Sequence, residues 1–224
     1  MLTSLSASQL TTIGNTFQLT NLTILSSLSF PSLTQVGSIK WLTLPALQQL
    51  SFTQQIQKAA SVMISDTQLS SLAGINLVSV DTFDVNNNNQ LNKINLQLGN
   101  VSNALSIAFN SKAVVAEFPY LIWANNITFR NVSTVKLPSL SVVNGSMGFY
   151  SDLITSFAAP NLTKVGGTLS FVDNNSLTNL SLPVLTEVDG GLQIANNTML
   201  SNIDGLPKLQ TIGGAGDFHG PIKR

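Results

Sequence analysis

Residues 160–183, PNLTKVGGTLSFVDNNSLTNLSLP, decide how the rest of the chain is read. The segment opens with Pro160-x-Leu162-x-x-Val165 and a glycine pair, and continues through Leu169-Ser-Phe171. It turns at Asp173-Asn174-Asn175 and closes on Leu177-x-x-Leu180-x-Leu182-Pro183. Apolar and polar residues alternate within each short piece, which is the period of a strand with one buried face. None of the pieces has a sustained 3.6-residue period, so long helices are not expected. Pro183 then begins the same phrase again.

Copies occur at Pro31-x-Leu33-x-x-Val36-Gly37, Pro138-x-Leu140-x-x-Val143 and Pro207-x-Leu209-x-x-Ile212-Gly213-Gly214. Weaker copies begin at Gln9, Ile75 and Gln97, and Pro45-x-Leu47-x-x-Leu50 and Pro119-x-Leu121 complete the set. These anchors recur every ~22 residues, within the range of solenoid repeats. The step from 31 to 45 is short and the next is long, so residues Thr53 to Ala60 are expected to form an extra loop. A coil of this size cannot bury its apolar face alone, whereas stacked coils make a continuous apolar column. The predicted fold is all-β, a right-handed parallel β-helix or leucine-rich-repeat-like solenoid. It has about ten coils and forms a single unit over residues 1–224.

The repeat also makes predictions about the corners. Proline fits a corner between strands, where its missing N–H breaks no ladder. The glycine pairs fit a tight turn with positive φ. At the second corner Asp66, Asn88, Asn110, Asn174 and Asn197 align, and are expected to stack as a ladder bonded to backbone and to each other. The competing reading is a strip of amides for a ligand.

Composition narrows the chemistry. Charged residues are 9% of the chain and the formal net charge is zero, which leaves no electrostatic footprint for nucleic acid. There is no cysteine and a single histidine, His219, close to the end of the sequence. Disulfides, thiolate zinc sites and cysteine nucleophiles are therefore excluded, and a Ser-His-Asp triad is disfavoured. No apolar run reaches the ~18 residues of a membrane span. The ten acidic residues are scattered; Asp81 and Asp84 are near each other, but no acid follows one repeat later. Glycoside hydrolysis needs a close carboxylate pair, so no catalytic residue, metal or cofactor is expected. Trp41, Tyr120, Trp123 and Tyr150 are candidates for stacking on sugar rings, with packing the favoured reading. Nine N-x-Ser/Thr sequons occur. Asn21, Asn100, Asn126, Asn131, Asn144, Asn161 and Asn179 are the glycosylation candidates, whereas Asn174 and Asn196 fall at the inferred inward corner.

Several motifs now carry a family resemblance. They are Leu121-Ile-Trp-Ala124, Asn144-Gly-Ser-Met147, Phe149-Tyr-Ser-Asp152, Ala159-Pro-Asn-Leu-Thr163, Phe171-Val-Asp-Asn174 and Ile194-Ala-Asn-Asn197. In combination, along nearly the whole chain, they resemble the fungal GPI-anchored cell-wall organisation proteins with receptor L-domain-like (leucine-rich) repeats. The resemblance implies a secreted, N-glycosylated, non-catalytic protein of the cell wall and outer plasma-membrane surface, acting in wall integrity. It implies cell-wall polysaccharide or mannoprotein as partner, and membrane contact only through a GPI anchor. The alternative it leaves open is a receptor L-domain-type module for a glycan or peptide. Family members have a signal peptide, cysteine-bearing end coils, a Ser-rich stalk and a GPI signal. The sequence contains none of these, and Val132 stands where some relatives have cysteine. It is therefore read as a fragment lacking both end caps.

Overall fold

The computed structural model describes residues 2–221, and among these the regular structure is entirely β. The strands pair in parallel and stack about ten turns, spaced ~22 residues apart, into a β-solenoid. The main sheet has fourteen strands. Six coils contribute one strand each: Thr12–Thr20, Gln35–Leu44, Ser61–Thr67, Ser79–Asn86, Asn100–Ala108 and Trp123–Arg130. Four later coils contribute two short strands each, from Val142–Val143 with Met147–Tyr150 to Thr211–Ile212 with Gly216–His219. A second row of three-residue strands lines the opposite side, including Ser27–Ser29, Gln49–Ser51, Lys93–Asn95, Val115–Glu117 and Thr134–Lys136.

Register converts the alternating sequence into continuous interior columns. One runs Ile39, Val62, Phe83, Leu105, Ile127, Met147, Leu169, Leu192. A second runs Trp41, Ile64, Val85, Ile107, Phe129, Phe149, Phe171, Ile194. Every member of both columns is buried. Burying each such side chain contributes about 1.5–3 kcal/mol. Phe149 stacks on Phe171 with ring centroids 4.6 Å apart, and on Phe129 at 5.3 Å. Trp41 is wholly buried against Phe17 and Phe52, which removes it from the sugar-stacking candidates.

Two expectations are corrected. Residues 53–60 are not an extra loop. Leu28 pairs with Leu50 and Ser29 with Ser51, so Phe52-Thr53 follows in the place of Phe30-Pro31. The Gln54 amide then donates to the Pro31 carbonyl at 3.0 Å, and the Gln57 amide to that of Thr34 at 2.8 Å. Thr53-Gln-Gln-Ile56 is thus the missing anchor of a regular coil. Pro45 follows Leu44 at the other corner, where Leu44 pairs with Thr67. The repeat is more regular than its prolines suggest.

The glycine pairs also act differently from expectation. Among the described glycines only Gly74 and Gly220 have positive φ. The pairs are needed for close approach between coils. A Cβ on Gly166 or Gly213 would collide with the carbonyl of Asn144 or Asp189, and one on Gly190 would lie 2.6 Å from the carbonyl carbon of Gly167. Apart from Gln55 (φ 60°) in the anchor at Thr53, left-handed backbone among the described residues with a Cβ falls instead at the opposite corner. Asn21, Thr43, Asp66, Asn87, Phe109, Asn131, Ser151, Asp173 and Asn196 have φ of 52–59°, one per coil. Each stands two residues beyond its coil's member of the second column, where the chain turns back over the core. Asn and Asp tolerate this region best among residues with a Cβ, which explains the polar corner.

Candidate functional site

The polar corner is built from pairs of residues, the first outward and left-handed, the second inward. Asn88, Asn110, Asn174 and Asn197 occupy the inward place and are buried. The amide of Asn88 donates to Oδ1 of Asn110 at 3.1 Å, and that of Asn174 to Oδ1 of Asn197 at 2.9 Å. Each Nδ2 donates to a carbonyl at the same corner of the preceding coil: Asn88 to Ile64, Asn110 to Val85, Asn174 to Phe149 and Asn197 to Phe171, at 2.8–3.1 Å. Each side chain thus satisfies backbone groups that the turn removes from the strand ladder. Asp66 is not in this column. It is the exposed left-handed residue of its coil, and Thr67 takes the inward place, its amide and hydroxyl both donating to Asn88 Oδ1.

The same column contains two residues that the sequence reading did not place there, Val132 and Asp152. Asp152 accepts the Val132 amide on Oδ1 at 2.7 Å, and its own amide donates to Asn174 Oδ1 at 2.8 Å. Its Oδ2 is buried without a partner. Burial drives its carboxyl up to about 7 from an ordinary 3.8, against the opposing pull of the Val132 and Tyr150 backbone and of Arg130. A neutral carboxyl has the shape of an asparagine amide, and its O–H is a donor. The signal in the sequence was its position one repeat before Asn174.

The sequon asparagines are dispersed. Asn21, Asn144, Asn161 and Asn179 are exposed, Asn100, Asn126 and Asn131 are half-buried, and Asn174 is buried. Asn126 is held by the Ser146 amide on Oδ1 and by the Asn103 carbonyl on Nδ2. Asn196 is exposed and donates to Asp173 at 3.0 Å. The aromatic candidates are dispersed too. Tyr120 is exposed, Trp123 is half-buried, and Tyr150 lies under the Arg130 guanidinium at 4.4 Å. His219 is exposed and pairs with Asp217.

A row of adjoining concavities crosses the second row of strands. One, about 380 Å³, lies between Gln55, Ser71, Gly74, Asn76, Asn95 and Gln97. The row runs on past Ser71 and Ala73 to Gln48 and Gln49 on one side, and past Asn95 to Pro119 and Pro138 on the other. It therefore spans five successive coils, roughly 20 Å at strand spacing. Gly74 (φ +95°) packs closely on buried Phe52, since a Cβ there would lie 2.8 Å from that of Phe52. Asn76 donates to Gln55 Oε1 at 3.0 Å.

Among the described residues, the one carboxylate of this groove faces two lysines. Glu117 is held by Lys136 at 2.6 Å and Lys93 at 3.5 Å, one from each neighbouring coil. The Lys136 hydrogen bond, with the charge of both lysines, holds its carboxyl below the usual range. This triplet pins register across three coils. Exposed pairs are worth little, so Glu117→Gln is expected to cost less than about 1 kcal/mol. The cost should vanish in molar salt, as denaturant midpoints at low and high ionic strength would register.

Comparison with known proteins follows this architecture. No family model matches the chain, and no solved structure does. Curated relatives do match. Protein ecm33 of Aspergillus fumigatus is 46% identical over 178 residues, covering 79% of this chain and 44% of the relative. A cell surface GPI-anchored protein of Arthroderma benhamiae is 44% identical over 223 residues, 99% of this chain and 57% of the relative. Cell wall protein ecm33 of Schizosaccharomyces pombe is 36% identical over 177 residues, 79% and 42% respectively. The chain spans about half the length of the curated relatives it matches. Along most of its own length, this solenoid is a homologue of the fungal Ecm33-like, GPI-anchored cell-wall proteins.

Proposed function

We propose that the chain is the repeat array of a non-catalytic cell-wall protein, displayed outside the plasma membrane and contributing to wall organisation through an extended, glycosylated β surface. The observation that carries this reading is the combination of a continuous stack of parallel coils with relatives named as cell-wall and cell-surface proteins. A solenoid works through long surface rather than through an enclosed pocket. Several of the ten acids have structural partners, among them Glu117 with two lysines, Asp189 with Lys164, Asp173 with Asn196, and Asp152 in the buried column.

The test is complementation. In a fungal strain whose Ecm33-like relative has lost its matching segment, this array replaces that segment. Restored growth on wall-stressing dyes is the expected result. Failure of the chimaera, when the native segment restores growth at equal surface abundance, rejects the reading.

Glycan placement follows from burial. Asn21, Asn144 and Asn179 are exposed and carry no side-chain hydrogen bond among the described residues. Asn174 is buried, and a glycan there would prevent its coil from closing. Peptide mass spectrometry of secreted protein, deglycosylated in heavy-oxygen water, is expected to mark the first three and leave Asn174 unmodified.

A further inference from the structure

We propose that the groove across the second row of strands binds a linear, uncharged polysaccharide chain lying perpendicular to the strands. This rests on the cell-wall reading above and names the ligand class for that surface.

Four observations support the assignment. The first is shape. Adjoining open concavities that share Ser71, Ala73 and Asn95 follow one another over five coils, which suits a polymer rather than a compact small molecule. Its coil-to-coil step of about 4.8 Å is close to the length of one pyranose unit. Successive sugar rings therefore meet equivalent positions of successive coils.

The second is chemistry. The exposed lining is mainly side-chain amide and hydroxyl: Gln49, Gln55, Ser71, Asn95 and Gln97, beside half-buried Asn76. An amide presents an acceptor and a donor side by side, which matches two vicinal hydroxyls. The Gln55–Asn76 bond occupies one acceptor and one N–H. The other amide atoms of both residues, and the whole amides of Asn95 and Gln97, remain for a ligand. Pro119 and Pro138 give one end flat apolar surface for the C–H face of a sugar ring.

The third is charge. Among the described residues the only acid on the lining is Glu117, and Lys93 and Lys136 already hold it. Two lysines against one carboxylate leave a single excess positive charge. Polyanions need several unpaired cations in a row. The fourth is backbone. Val115–Glu117 is hydrogen-bonded in parallel on both sides, to Lys93–Asn95 and Thr134–Lys136, so an extended peptide finds no free strand there. The row is interrupted between Gln49–Ser51 and Lys93–Asn95, where only Ser71 bridges to Lys93, and the peptide probe below tests that part of the groove.

Calorimetric titration of the intact chain tests this. The probes are linear hexasaccharides of glucose, mannose and N-acetylglucosamine, each with its disaccharide, a galacturonate hexasaccharide and an extended polar peptide. At least one neutral hexasaccharide is expected to bind about tenfold tighter than its disaccharide, because contacts accumulate along the coils. Asn95→Ala/Gln97→Ala is expected to weaken that binding by about tenfold, with an unchanged melting curve, since both residues are exposed. Absence of binding by every neutral hexasaccharide overturns the proposal. Tighter binding of the galacturonate or the peptide overturns it too, as does a double variant that binds like the parent. Complementation by that double variant separates the two readings: growth restored without binding removes the groove and leaves the wall role standing.

Discussion

Asp152→Asn is expected to stabilise the array at pH 8 by up to about 4 kcal/mol and to leave it unchanged below about pH 4. In four other coils the residue at this place is an asparagine whose Nδ2 reaches a carbonyl of the coil before. In this coil the donor atom is Oδ2 of a carboxyl, buried and without a partner. Strand pairing sets Phe149 beside Phe129, so the carbonyl awaiting that donor is that of Phe129. Only the protonated acid supplies it.

The sign follows from the direction of the shift. The unfolded carboxyl titrates near 3.8 and the folded one near 7, so the folded state holds its proton over that window. Stability is fully present below the unfolded value, falls as pH rises between the two, and levels off above about 7. Asparagine carries its donor at every pH and abolishes the slope. Chemical denaturation at pH 4, 6 and 8 is expected to show parent and variant converging at the acid end and diverging by pH 8. A variant less stable than the parent at pH 8, or one with the parent's pH slope, would contradict this account. Asp152→Ala serves as the control. It strips the Val132 amide of its acceptor and is expected to lose about 1–3 kcal/mol even in acid.

The two residues at this corner also show where sequence stops being sufficient. Alternation and repeat length made the coil and its interior legible, because a one-residue slip would turn each apolar column outward. At the corner, two adjacent polar residues divide the work: one takes the left-handed backbone outside, the other the hydrogen bonds inside. In Asp173-Asn174 and Asn196-Asn197 the asparagine that stands second is the inward residue. In Asp66-Thr67 the more polar residue of the pair is the outer one. Asp152 escaped because an acid next to Tyr150 looks like surface chemistry until the register places it among buried amides. Pro45 misled for a related reason: proline suits either corner, and only hydrogen bonding assigned the anchor to Thr53. The groove was less legible still. Its amides come from different coils and share no motif, and only stacking brings Gln55 beside Asn76 and Asn95.

Phe149→Ala is expected to cost about 3–5 kcal/mol, among the largest losses available to a single substitution in this chain. Phe149 is wholly buried and touches three rings at once, with Phe157 at 4.5 Å, Phe171 at 4.6 Å and Phe129 at 5.3 Å. Its backbone is paired on both sides, to Phe129 and to Phe171. Those ladders fix the coil spacing, so the neighbouring coils cannot close over the gap and the cavity persists. Phe218 occupies the same column next to Ile194, yet it is 43% exposed, and Phe218→Ala is expected to cost less than about 1 kcal/mol. Denaturant midpoints of the two variants therefore separate position in the stack from residue type. Stability in a solenoid is a sum of coils and the interfaces between neighbours. A lesion at Phe149 weakens two interfaces in mid-array. The coils on either side are then expected to unfold in two resolved transitions, where the parent and Phe218→Ala show one. Equal midpoints for the two variants would mean that the column does not act as the array's spine.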